Sequence, residues 1–125
     1  MFEIDKGDSY EWDVEIQEPT SEGHKTETFT ALFNRISQPR IDELNEKVRQ
    51  RMIAARAGEP VDGMIDDMQI ADEVFAGWTA GMLKNGAPVE YTPALKKKLL
   101  ARSAFAAAIV RAWNDAIGYG RKKTS

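Results

Sequence analysis

Between residues 9 and 17 apolar and polar positions alternate without a break. Tyr10, Trp12, Val14 and Ile16 point one way, and Glu11, Asp13, Glu15 and Gln17 the other, the period-two pattern of a strand buried on one face. Pro19, Thr20, Ser21, Glu22 and Gly23 have the chemistry of a loop. Residues 26–33 that follow are rich in Thr and Phe, with Phe29, Ala31 and Phe33 on a common face. The two runs predict an antiparallel hairpin whose acidic outer face discourages edge-to-edge aggregation.

The period then changes. Ser37 can cap a helix and Pro39 suits its first turn, and Ile41, Leu44, Val48 and Met52 recur at helical spacing, so a helix is predicted over 39–57. Gly58 and Pro60 end it. The acids of 62–67 suit a second helix start, and Met68, Ala71, Phe75 and Trp78, with Ile70 and Val74 beside them, form an apolar stripe that carries this helix to about Gly77. A strand over 70–75 is the alternative, because a short apolar run is ambiguous by period alone. Asn85-Gly86 tolerates the positive φ of a tight reversal, which predicts a small second hairpin over 82–91. Thr92 and Pro93 then cap and open a helix through Leu95, Leu99 and Leu100. After a break near Ser103, Phe105, Ile109, Trp113 and Ile117 define a last amphipathic helix that ends at about Gly118. The predicted fold is α+β: an N-terminal antiparallel β-hairpin and a small second hairpin packed with a predominantly helical bundle of four to five helices.

Length changes this picture little. A chain of 125 residues, 42% hydrophobic and 30% charged, suits one soluble domain able to bury roughly two thirds of its unfolded surface. We assign that domain to residues 1–120 and a flexible basic tail to 121–125. Charge adds more. Residues 1–92 carry 9 Lys/Arg against 19 Asp/Glu, whereas residues 93–125 carry 8 against 1. Such a dipolar chain has either ordinary solvated faces or complementary ends through which copies associate. The acidic majority argues against nucleic acid as a partner. No apolar stretch approaches the roughly 20 residues of a membrane span, and with no cysteine and no signal-peptide layout at the start the expected compartment is the cytosol.

Candidate chemistry is sparse. Gly118-Tyr119-Gly120 follows a helix, whereas a phosphate loop precedes one. His24, the only histidine, falls in the predicted hairpin loop with no identifiable partner, and the pairs Asp66-Asp67 and Asp72-Glu73 read as helix-start charge. No catalytic, cofactor or metal site is predicted. Binding residues are easier to nominate. Lys97, within Lys96-Lys97-Lys98, marks either the wet face of a helix or a docking patch for an acidic surface. Trp78 and Trp113 are core residues or partner anchors, and the Phe105, Ile109, Trp113 stripe faces either the core or a partner helix.

Several segments, in order, resemble the tail assembly chaperones of long-tailed bacteriophages: SYEWDVEI with TFTALFNRIS, PRIDELNEKVR, VFAGWTAGMLKNGAPVEYTPALKKKLL, and SAFAAAIVRAWNDAIG. The resemblance is most specific at Gly77-Trp78 with Gly86, Pro88, Val89, Tyr91 and Thr92. It implies a non-enzymatic protein of the host bacterial cytoplasm, absent from the finished virion. Such a protein coats the long, helical tape measure protein and helps recruit tail tube subunits, with self-association among its properties. Trp78, Tyr91, Lys97, Phe105, Ile109 and Trp113 are the candidate contacts. A tail or head-completion protein retained in the virion is the alternative, and a small hydrolase a more distant one.

Overall fold

A computed structural model describes residues 7–118. β1 (Ser9–Thr20) and β2 (Gly23–Asn34) form the long hairpin, and β3 (Phe75–Ala80) adds antiparallel to β2, giving the sheet order β1-β2-β3. The pairs Tyr10↔Phe33, Trp12↔Ala31 and Val14↔Phe29 put the apolar set on one face, and Glu11↔Leu32, Asp13↔Thr30 and Glu15↔Thr28 put the acids and threonines, with Leu32, on the other. The turn is shorter than predicted, only Ser21 and Glu22 between the strands, so Pro19 and His24 lie in the ladder opposite each other. Proline is tolerated there because β1 is an edge strand.

α1 (Gln38–Arg56) starts where predicted, with the Ser37 Oγ accepting from the Arg40 N–H at 3.4 Å. It meets the central core through Ile41, Leu44 and the partly buried Val48, and Ala54 near its end is buried as well. Met52, assigned to the same stripe, is instead 51% exposed, while Ala54 two positions on is buried, so the covered side of the helix is not the predicted stripe at this end. α2 (Asp67–Val74) has a reciprocal cap: the Asp66 carboxylate accepts from the Gln69 N–H at 2.8 Å, and the Gln69 side chain accepts from the Asp66 N–H at 3.0 Å.

Here the prediction needs correction. The helix ends at Val74, and Phe75 begins a strand, so neither the helix to Gly77 nor the strand over 70–75 describes the segment. Gly77 at φ +140 cannot continue a helix, and Phe75 and Trp78 are placed by pairing with Phe33 and Ala31. The small hairpin forms as β4 (Leu83–Lys84) and β5 (Ala87–Pro88), narrower than expected, around Asn85 and Gly86 at φ +54 and +79. α3 (Pro93–Leu100) is capped by the Thr92 Oγ1, which accepts from the Leu95 N–H at 3.1 Å, and α4 (Ser103–Ile117) follows the predicted break. The basic tail 121–125 lies outside the described residues.

The fold is therefore α+β, with four helices and two antiparallel sheets among the described residues. α4 lies along β1 and packs on α2 and α3. Between the layers sit Phe29, Phe33, Phe75, Trp78, Phe105, Ile109 and Trp113, all buried. Phe29 and Phe105 stack at 5.6 Å, and Phe75 meets Phe105 edge-on at 5.8 Å.

One polar clamp ties α1 to α2. The Arg40 guanidinium donates to both oxygens of Glu73, at 2.7 and 2.6 Å, and also reaches Glu43. Hydrogen bonding by Arg40 holds the Glu73 carboxyl below its ordinary value of 4.5. A carboxyl depressed on folding stabilises the native state above its unfolded pKa, and that contribution disappears as pH falls through the folded value. Glu73→Gln is expected to lose stability at neutral pH and to show a shallower decline below pH 4.5 than wild type. Urea midpoints measured across that range check both slopes.

Candidate functional site

The segment from Gly77 to Pro93 forms a joint. The Trp78 indole packs in the core and its Nε1–H donates to the Val89 carbonyl at 2.7 Å, which ties the strand to the return of the small hairpin. Tyr91 meets Trp78 edge-on at 5.3 Å, and its ring lies over Gly77, where a Cβ would come within 3.1 Å of Tyr91 Cδ1. Glycine at 77 is thus required twice, by its φ and by the ring. The Val89 N–H donates back to the Met82 carbonyl at 3.0 Å. This joint connects the sheet to α3 and sets the attitude of the small hairpin.

That attitude creates a trough. β3 ends at Ala80, paired with Thr30, and at Gly81 the chain turns away from β2. The turn is tight: a Cβ on Gly81 would be 2.8 Å from Phe29 Cα. From Gly23 to Glu27, β2 has no described strand on that side. The space left between the hairpin end, the small hairpin and α3 is an open trough of about 790 Å³. Its floor is apolar, with Phe29 and Phe105 beneath and Val89, Leu95 and Leu99 partly exposed. Leu83 stands at its mouth, 59% exposed. Lys25, Lys84, Lys98 and Arg102 stand around it, against Glu18 and Glu27. Lys25 pairs with Glu27 at 3.1 Å, while Lys84, Lys98 and Arg102 form no ion pair with another described residue. An apolar channel with surplus positive charge can hold an apolar chain segment flanked by acids.

The nominated residues divide sharply. Phe105, Ile109 and Trp113 face the core, so the stripe on α4 is spent on packing, and Trp78 is also inside. Phe105 touches the trough only as part of its floor, and Tyr91 is half-buried in the joint. Lys97 is exposed on α3 but outside the trough, and Lys96 is tied to Asp72, donating to its carbonyl at 2.8 Å. Lys98, part of the lysine run read as a possible docking patch, does line the trough; the residues that sequence reasoning missed are Leu83, Leu99, Lys84 and Arg102. A signal existed for Leu83, an apolar residue beside an Asn-Gly turn, and none for their convergence. Trp113 Nε1 is buried with no hydrogen-bond partner among the described residues.

Among the described residues no group of three or more His, Cys, Asp and Glu is placed to hold a metal ion, and no helix is long and apolar enough to cross a membrane. His24 is exposed on β2. In comparisons with known proteins, no family model, no curated protein and no solved structure matches the chain.

Proposed function

We propose that this chain is a tail assembly chaperone of a long-tailed bacteriophage, a non-enzymatic binding protein that covers apolar strips of the tape measure protein. It keeps that long helical chain soluble in the host bacterial cytoplasm and helps recruit tail tube subunits around it. The observation that carries the reading is the trough: an apolar floor, an exposed leucine at its mouth, and Lys84, Lys98 and Arg102 with no ion pair to another described residue. Covering another chain needs such a surface and no bond-making residue. The ordered segments around Gly77-Trp78 and Tyr91-Thr92 that resemble the chaperone family build the joint that holds the trough open.

Co-expression tests this. The soluble yield of a tape measure protein should rise when the chain is co-expressed, and should fall back with Leu83→Asp, which places a charge at the trough mouth without touching the core. A long partner equally soluble with wild type, with the variant and with neither would end the proposal. Mass spectrometry of purified virions separates a chaperone, which is absent from them, from a retained tail component.

A further inference from the structure

β2 is longer than the strand that pairs with it, and its unpaired length borders the trough. A Cβ on Gly81 would lie 3.1 Å from the Thr28 carbonyl oxygen, so the Thr28 backbone faces the side on which β3 lies. Outward-facing positions alternate along an antiparallel ladder, which turns His24 and Thr26 to that side as well. No described strand pairs with them there. The free edge of β1 is built differently: Pro19, opposite His24, faces outward and has no N–H to offer. One outer edge of the hairpin is thus blunted by proline, whereas the other presents the N–H and C=O groups of His24, Thr26 and Thr28 over roughly 13 Å.

The open edge decides what form of chain the trough suits. A helix satisfies its own backbone and leaves such an edge to water, whereas an extended chain laid about 4.8 Å from β2 hydrogen-bonds it. Every second side chain of that guest points to the floor of Ile16, Phe29 and Phe105, with Leu83 and Leu99 at the sides. The side chains between them face outward beside the exposed Thr26 and Thr28. Charge sets the rest. Lys25, Lys84, Lys98 and Arg102 stand around the trough against Glu18 and Glu27, a positive excess in a chain whose net charge is −3. Acids at the ends of the inward face complement it, and bases there are repelled.

We infer that the trough takes a segment of its client as an added strand, extended and antiparallel to β2, hydrogen-bonded to His24, Thr26 and Thr28, with an inward face that is apolar in the middle and acidic at its ends. The antiparallel sense is that of β3, whose line the guest continues past Gly81. The inference rests on the chaperone reading for the identity of the client and deepens it by naming the part of the client that is held. A segment bound in this way is withheld from helix, so the domain engages a helical client before its helices close or at the breaks between them. Backbone pairing tolerates many sequences, and the alternate apolar positions fix the register.

Synthetic peptides titrated into the full-length protein and followed by amide NMR test it. The probe is the capped peptide Glu-Thr-Val-Thr-Val-Thr-Glu, whose valines and glutamates share one face when extended. In its complex the His24 and Thr26 amides should exchange at least about tenfold more slowly, while Lys25 and Glu27, whose amides face β1, change little. N-methylation of the threonines, whose amides face β2 in an antiparallel guest, should weaken binding by at least about tenfold, and N-methylation of the valines should not. Lysine in place of both glutamates, or Leu83→Asp/Lys98→Glu in the protein, should weaken it by a similar factor. A probe that leaves the trough amides unchanged at millimolar concentration, or a threonine-methylated analogue that binds like its parent, would overturn the inference. So would an acidic amphipathic helical peptide that binds the trough more tightly and leaves His24 and Thr26 unprotected; that result refutes the added strand alone and leaves the chaperone reading standing. Strand binding as described, with no effect of co-expression on the tape measure protein, refutes the chaperone reading and leaves the site.

Discussion

Phe75→Ala should cost about 3–5 kcal/mol of unfolding free energy. Phe75 is fully buried, and its ring meets Phe105 at 5.8 Å, Trp78 at 6.2 Å and Phe29 at 6.4 Å. Its ring links the floor of the trough, the joint and the sheet. Truncation removes its transfer energy and leaves a space that the stacked Phe29–Phe105 pair cannot fill without losing its own contacts. Against a total stability of about 5–15 kcal/mol for a domain of this kind, the thermal midpoint should fall by about 10–25 °C. Urea unfolding checks it, with the midpoint lowered and the slope preserved. Leu83→Ala is the matched control: an exposed leucine should change stability by less than about 0.5 kcal/mol. A loss at Phe75 as small as at Leu83 would mean that the helical layer and the sheet do not share one core.

The same residue shows why part of the fold was readable and part was not. Alternation in β1, the Asn85-Gly86 reversal and the Thr92-Pro93 helix start are local: each is decided by neighbours a few positions away, and each appears where predicted. The switch at Val74–Phe75 is decided by β2. Phe75 and Trp78 are three apart and fit a helical stripe as well as they fit a strand with a bulge, and the register irregularity between Leu32 and Phe33 lets both reach the core. Only the presence of Ala31 and Phe33 as pairing partners breaks the tie. The trough was hidden for the same reason. Lys25, Leu83 and Leu99 come from three elements, and their convergence depends on where the chain leaves the sheet at Gly81. The Phe105, Ile109, Trp113 stripe had the opposite fate. Its period was read correctly, but a period shows that a face is apolar without saying whether the cover is the chain's own sheet or another protein.

That departure point supplies the second large effect. Gly81→Ala should destabilise the protein by about 2–5 kcal/mol, from two sources. At φ +85 an alanine costs about 1 kcal/mol more than glycine. The added methyl would also fall 2.8 Å from Phe29 Cα and 3.1 Å from the Thr28 carbonyl oxygen, both backbone atoms of β2 that cannot rotate aside. Relief requires the chain to leave the strand at another angle, an overpacking cost of about 1–3 kcal/mol or more. Gly58→Ala isolates the first source, since Gly58 has φ +74 and open space where the methyl would go. Its expected cost is about 1 kcal/mol. The difference between the two variants in urea midpoint therefore measures the tightness of the turn. A second readout tests its role: Gly81→Ala should reposition the small hairpin, moving Leu83 and Lys84 relative to α3 and lowering the soluble yield of the co-expressed client even under conditions where the variant is fully folded. Equal stability losses at Gly58 and Gly81, with client yield unchanged, would show that the exit from β2 has slack and that the trough's width is set elsewhere.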